Sequence, residues 1–186
     1  PIPPIPNSTH DPNSTQFKIQ HPNSTPNSTH RAAGDIAGEA RHIGNLGVFL
    51  RNQGGIVEAI ECLQEAVRLS RSLGDLDFLA SDLANLGVAY HLFGKLEAAK
   101  DCYAQSLEIA LVLDDLSRRA MAQGYLAFAH FDEHEFLRAH SELTQALETA
   151  RNSFGPSHDF TIKLQRKIVE VCKKLGGEKR SHLNIK

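Results

Sequence analysis

His130-Phe131-Asp132-Glu133-His134 is the segment whose residue types and spacing come nearest to catalytic chemistry. It spells H-x-x-E-H, the inverted zinc-protease pattern. Two imidazoles four residues apart on one helical face can share a metal ion, with Glu133 as the base acting on bound water. The register of the surrounding chain speaks against that use. His130 stands forty residues after Tyr90, a packing position, and His134 forty after the turn glycine Gly94. One imidazole is therefore expected inside a helix pair and the other at a helix end. No third ligand stands at a metalloprotease spacing, so the expectation is no metal and no cofactor. The cysteines point the same way. Cys62 and Cys102 are repeat equivalents, and Cys172 is expected in place of a packing aromatic, where a free thiol behaves as a small hydrophobe. With no Gly-rich phosphate loop, nucleophile elbow or paired-carboxylate signature, the chain is expected not to be an enzyme.

The 186 residues carry 20 Lys+Arg against 22 Asp+Glu, and this near-balance argues against a nucleic-acid partner, which calls for a basic excess. No run approaches the roughly 18 apolar residues of a membrane helix, and the N-terminus lacks the basic-then-apolar plan of a signal peptide. The expected address is the cytosol, with no membrane partner. Three cysteines do not make a disulfide framework. Charge is unevenly spread, because residues 163–186 hold eight Lys+Arg against Glu170 and Glu178. Beside an apolar patch such a basic end suits an acidic amphipathic or extended ligand, and a solvated cap with a frayed tail explains the same charges.

Composition changes sharply near residue 30. Seven of the eight prolines and four copies of Pro-Asn-Ser-Thr lie before it, with only Ile2, Ile5, Phe17 and Ile19 strongly apolar. So few apolar side chains do not offset an ordering cost of about 1–2 kcal/mol per residue, so residues 1–30 are expected to form a disordered low-complexity tail.

From residue 31 the chain repeats itself with a period of forty. Asn45-Leu46-Gly47-Val48 recurs as Asn85-Leu86-Gly87-Val88 and weakens to Tyr125-Leu126-Ala127-Phe128. Ala59, Ala99 and Ala139 keep the same offset, as do Leu63, Tyr103 and Leu143. Gly54 and Gly94 mark turns, with His134 at the third. Asp35, Asp75 and Asp115 open each unit, where a carboxylate can cap free N–H groups. Apolar residues at helical spacing on both sides of each turn predict two helices per unit. Small residues at Gly47, Ala59, Gly87 and Ala99 let paired helices approach, and Leu46, Leu63, Leu86 and Tyr103 are expected to fill the space between.

Leu86, Gly87, Tyr90, Ala99, Tyr103 and Ser106, with Leu46, Gly47, Leu50, Ala59, Leu63 and Ala66 before them, resemble the tetratricopeptide repeat. The forty-residue unit is similar to the longer repeats of Pins-type scaffolds and kinesin light chains. The resemblance implies an all-α fold, an α-solenoid wound as a right-handed superhelix of about three helix-turn-helix repeats with a C-terminal capping helix. Its expected boundaries are a tail at 1–30, a repeat domain at 31–177 with units 35–74, 75–114 and 115–154 and a cap helix at 157–176, and a basic tail at 178–186.

The same resemblance implies a concave groove lined by Arg41, Asn45, Val48, Arg51 and Asn52 of the first unit. Ser81, Asn85, Val88 and His91 follow from the second, Met121, Tyr125, Phe128 and Phe131 from the third, and Lys163 and Lys167 from the cap. In peptide-binding relatives, Asn at the position of Asn45 and Asn85 bonds the ligand backbone, since an amide both donates and accepts. A bond between helices is the plainer use of these residues. The aromatic patch of the third unit is either an anchor pocket or packing beneath the cap. The function implied is a non-enzymatic scaffold that holds a peptide or helix of a partner protein in the groove. The alternative is a structural spacer or a module that self-associates through its repeat ends or convex face.

Overall fold

The computed structural model describes the backbone of residues 29–183 and the side chains of residues 36–176. The expected tail lies outside the described residues, apart from Thr29 and His30, which open the first helix. Seven helices follow one another: α1 (Thr29–Asn52), α2 (Ile56–Leu73), α3 (Leu76–Leu92), α4 (Leu96–Val112), α5 (Leu116–Asp132), α6 (Phe136–Phe154) and α7 (Asp159–Leu183). Each packs on its sequence neighbours, and α1 on α3, α3 on α5 and α5 on α7 make a second, weaker set. That is the contact order of a stack in which every repeat touches only the next.

The local signals explain most of the boundaries. Asp75 accepts a hydrogen bond from the Phe78 N–H at 3.1 Å, and Asp115 accepts from the Arg118 N–H at 2.9 Å, so both cap their helices. Asp35 does not, because α1 starts at Thr29 and carries it inside the helix. Arg31, Ala32 and Ala33 are good helix formers and extend the element through that position. Within each pair the turn residue is left-handed: Gly54 at φ 88°, Gly94 at φ 82°, and His134 at φ 65°. A histidine therefore takes up the backbone strain that glycine avoids in the other two turns. At the other end, α7 does not stop at Gly176-Gly177 as expected but runs on to Leu183. Two glycines cost about 1 kcal/mol each in a helix, and no proline follows to end it.

Close approach of the paired helices depends on the small residues. A Cβ on Gly87 would lie 2.5 Å from Tyr103 Cε1, and one on Gly47 would lie 2.7 Å from Leu63 Cγ. Tyr103, Leu63 and Leu143 are all but fully buried at equivalent positions of α4, α2 and α6. Two residues depart from expectation. Leu46 is 47% exposed where its equivalent Leu86 is 5% exposed. Leu86 is covered by Leu63 and Val67 of α2, and among the described residues no helix precedes α1 to do the same for Leu46. Cys172 is exposed rather than packed, because α7 has no second helix folded against it among the described residues.

One buried carboxyl stands within the stack. Asp82 is 8% exposed and accepts a hydrogen bond from Ser70 Oγ at 2.7 Å. Burial pushes its pKa up, the Ser70 bond opposes this, and Asp75 adds a smaller upward push. A folded-state pKa above the unfolded value makes the protonated form the favoured one, so this group's contribution is greatest in acid and is lost as pH rises through the folded pKa. Asp82→Asn keeps an acceptor for Ser70 and removes the buried charge. It is expected to raise the melting temperature at pH 7 and to leave it unchanged near pH 3, as thermal unfolding at the two pH values will check.

Candidate functional site

The first helices of the three pairs, α1, α3 and α5, share one cavity of about 250 Å³. Ser81, Asn85, Val88, Met121 and Tyr125 line it together, and Arg51 and Arg118 reach into it from either side. Positions 81, 85 and 88 fall on one side of α3, and 121 and 125 on the matching side of α5, since residues three and four apart share a helical face. The Arg51 guanidinium donates to Asn85 Oδ1 at 3.3 Å and to Asn52 Oδ1 at 3.5 Å. The carbonyl side of the Asn85 amide is thus engaged by the neighbouring helix. Arg118 pairs with Asp115, which caps α5, and with Asp77 of α3 at 2.9 Å.

Val88, Met121 and Tyr125 give the cavity an apolar floor. Tyr125 stacks on Tyr103 with ring centroids 5.4 Å apart and planes 19° from parallel. Burial raises the pKa of both phenols, and Arg51 opposes the shift at each. The two therefore stay neutral and packed.

The remaining expected groove residues are placed differently. Phe128 and Phe131 are 7% and 8% exposed and belong to the core under α7, so the third-unit aromatics split between packing and cavity. Two ammonium groups lie over their rings: Lys163 Nζ is 5.0 Å from the Phe128 centroid, and Lys167 Nζ is 4.2 Å from that of Phe131. Desolvation lowers the Lys163 pKa, with repulsion from Lys167 adding to it. His91 is tied to Asp132 at 2.7 Å and is not part of the cavity's lining. Arg41 lies over the Phe78 ring at 4.8 Å, and Asn45 and Asn52 are exposed. Val48 packs against the core of the first two pairs. Arg118 was not among the expected residues. Its equivalents forty and eighty residues earlier are Phe78 and Gly38, so the repeat gave no signal for it.

The H-x-x-E-H segment takes the arrangement its register predicted. His130 is 2% exposed and its Nδ1 bonds to Glu142 of α6, while His134 sits at the turn with its ring 5.6 Å from Phe136. Ligand atoms of His130, Glu133 and Glu135 do lie within 4.8 Å of one another. His134 is not among them, and Lys100 Nζ already holds both oxygens of Glu133 at 2.7 and 2.9 Å. A metal ion there would have to displace that ammonium, so the donor set fits a salt bridge better than a zinc centre. Nor is a thiolate nucleophile at hand in the core, since burial pushes Cys102 up to about 11 and raises Cys62 as well. No helix among the described residues is long and apolar enough to cross a membrane.

Comparison with known proteins agrees with the repeat geometry. Residues 38–111 match the family model of the tetratricopeptide repeat. No curated protein matches the sequence. Among solved structures, the chain is similar to a kinesin light chain of nearly identical TPR-like repeats from Podosopora anserina. The two share 19% identity at a TM-score of 0.63, over 73% of this chain and 66% of that one. BtubC (BKLC) from P. vanneervenii superposes at 0.55 with 19% identity, over 86% and 68% of the two chains. The Sgt2 TPR domain from Aspergillus fumigatus superposes at 0.58 with 20% identity, over 76% and 82%. This chain thus spans just under two thirds of the Podosopora structure. The seven helices thus share the fold of the tetratricopeptide-type solenoids, and residues 38–111 are the part whose sequence matches the family model.

Proposed function

We propose that this chain holds an extended, acidic peptide of a partner protein along the groove formed by α1, α3 and α5. The units are taken as 35–74, 75–114 and 115–154, followed by the capping helix. One observation carries the reading: Arg51 and Arg118 flank a cavity floored by Val88, Met121 and Tyr125. Guanidinium groups beside an apolar floor suit a peptide whose carboxylates alternate with an aliphatic or aromatic anchor. Lys163 and Lys167 continue the basic row over the third-unit rings. The Asn85 amide, whose oxygen is held by Arg51, has its NH2 group to offer to a ligand carbonyl. Because the helices are fixed by packing rather than by the ligand, little ordering cost falls on the protein at binding. The free thiols suit a reducing compartment, and we assign this activity to the cytosol.

The test is selection from a displayed library of random peptides. Enrichment of sequences with two or more acidic residues around one large apolar residue, lost when Val88 is replaced by Arg, is the expected outcome. Recovery of the same peptides by Val88→Arg would overturn the reading. One observation favours self-association instead, the exposed Leu46 and Phe49 on the uncovered side of α1, at 47% and 58%. On that account Phe49→Glu changes the oligomeric state in sedimentation and leaves peptide selection untouched.

A further inference from the structure

At four positions the third helix pair carries polar residues where the second pair carries apolar ones. In the second pair, Leu79 and Leu83 of α3 are 7% and 2% exposed and join Leu63, Val67 and Ile109 in one core cluster. Forty residues later the equivalents of Leu79, Leu83 and Ile109 are Arg119, Gln123 and Thr149, and Val112 becomes Asn152. All four replacements are polar, and all four line a single cavity of about 340 Å³ between α5 and α6. It lies on the side of α5 opposite Met121 and Tyr125, since positions 119 and 123 are about half a turn from 121 and 125.

The half-buried Arg119 lines it, and its Nε, which is buried, makes no hydrogen bond among the described residues. Such an orphan donor costs about 1–3 kcal/mol unless something answers it, more for a charged group. Its neighbour is turned to help. Thr149 Oγ1 shares its one proton between the Gln145 carbonyl at 3.1 Å and Gln123 Oε1 at 3.3 Å, and the Gln123 NH2 remains as a donor. The one carboxylate in the lining, Glu148, is exposed.

We propose that this cavity is a carboxylate-binding site, with the Arg119 guanidinium as its charged anchor and the Gln123 amide as its second donor. A planar guanidinium presents paired N–H groups that match the two oxygens of a carboxylate. Glu148 repels a doubly charged anion more than a singly charged one, and this selects a carboxylate over phosphate. The site is separate from the proposed groove and does not depend on it.

The experiment uses the full chain labelled with 15N and follows the Arg119 Nε–Hε and Gln123 NH2 resonances. Sodium acetate, sodium phosphate and a blocked dipeptide with one aspartate are titrated separately, with chloride balancing ionic strength. The expected result is a saturable shift of both resonances with acetate and no saturation with phosphate. Tighter binding of the dipeptide assigns the site to a peptide side chain, and equal binding to a free small acid. Arg119→Leu restores the residue of the second pair, so it is expected to keep the fold and abolish the Gln123 response. Glu148→Gln is expected to move the acetate midpoint to lower concentration. A shift that rises linearly with acetate, saturation by phosphate alone, or a Gln123 response that survives Arg119→Leu would overturn the assignment.

Discussion

Tyr103→Ala is expected to destabilise the chain by about 3–5 kcal/mol, the range for removing a fully buried aromatic. Its side chain is 1% exposed, stacks on Tyr125, and sits against the bare backbone of Gly87. The lost ring leaves a void between two pairs of the stack, and helices held by packing on both sides are slow to collapse into it. Urea unfolding followed by circular dichroism measures the loss, and a change below about 1 kcal/mol would mean the helix pair is not close-packed there. The partner substitution sharpens the point. Gly87→Ala alone places a methyl 2.5 Å from the ring, for an overpacking cost of about 1–3 kcal/mol, against a helix-propensity gain of about 1. The third pair has Ala127 at the position of Gly87 and Leu143 at that of Tyr103. The double variant Gly87→Ala, Tyr103→Leu should therefore recover part of what the first substitution alone loses, a coupling that a double-mutant cycle reads directly.

Removal of α7 is expected to have the next largest effect. Phe160, Leu164 and Val171 of this helix are buried beside Phe128 and Phe131. A Cβ on Gly124 of α5 would stand 2.8 Å from both Leu164 and Phe160, so α7 is seated as closely as the helices within a pair. Each of the three side chains contributes about 1.5–3 kcal/mol by burial. Their joint loss is comparable with the 5–15 kcal/mol that holds a whole domain folded. A chain ending at residue 157 should expose amide hydrogens throughout α5 and α6 to exchange while α1–α4 stay protected, because repeats depend on their nearest neighbours. Equal protection in all six helices would contradict the role of α7 as a cap.

Much of this architecture is legible in the residues, and what is not has physical causes. The forty-residue offset, the caps at Asp75 and Asp115, and the turns at Gly54 and Gly94 depend on local chemistry, and local chemistry repeats. His134 in a left-handed turn follows from register alone, against its own preference. Burial at the ends does not repeat, because it depends on which neighbour is present. Leu46 and Cys172 have the side chains of packed positions and lie exposed where the stack stops among the described residues. The groove is legible in part for a similar reason. Ser81, Asn85, Val88, Met121 and Tyr125 meet at one cavity because α3 and α5 are equivalent helices. Phe128 and Phe131 are drawn into the core under α7, whereas their equivalents forty residues earlier are the smaller Val88 and the polar His91. Arg118 and Arg119 were silent because each replaces an unlike residue of the preceding pair. A departure from the repeat is seen only once the cavity around it is known.

The central claim, that an acidic peptide lies beside Arg51 in the groove, is tested most directly by exchanging charges across it. A fluorescent peptide chosen by the library selection is titrated against wild type, Arg51→Glu and Leu137→Glu, the last an exposed position on α6. The account predicts that Arg51→Glu weakens binding about tenfold or more, that Leu137→Glu leaves it unchanged, and that one acidic-to-Lys replacement in the peptide restores affinity for Arg51→Glu. Equal affinities for all three proteins, or a weakening that no peptide replacement restores, would contradict it.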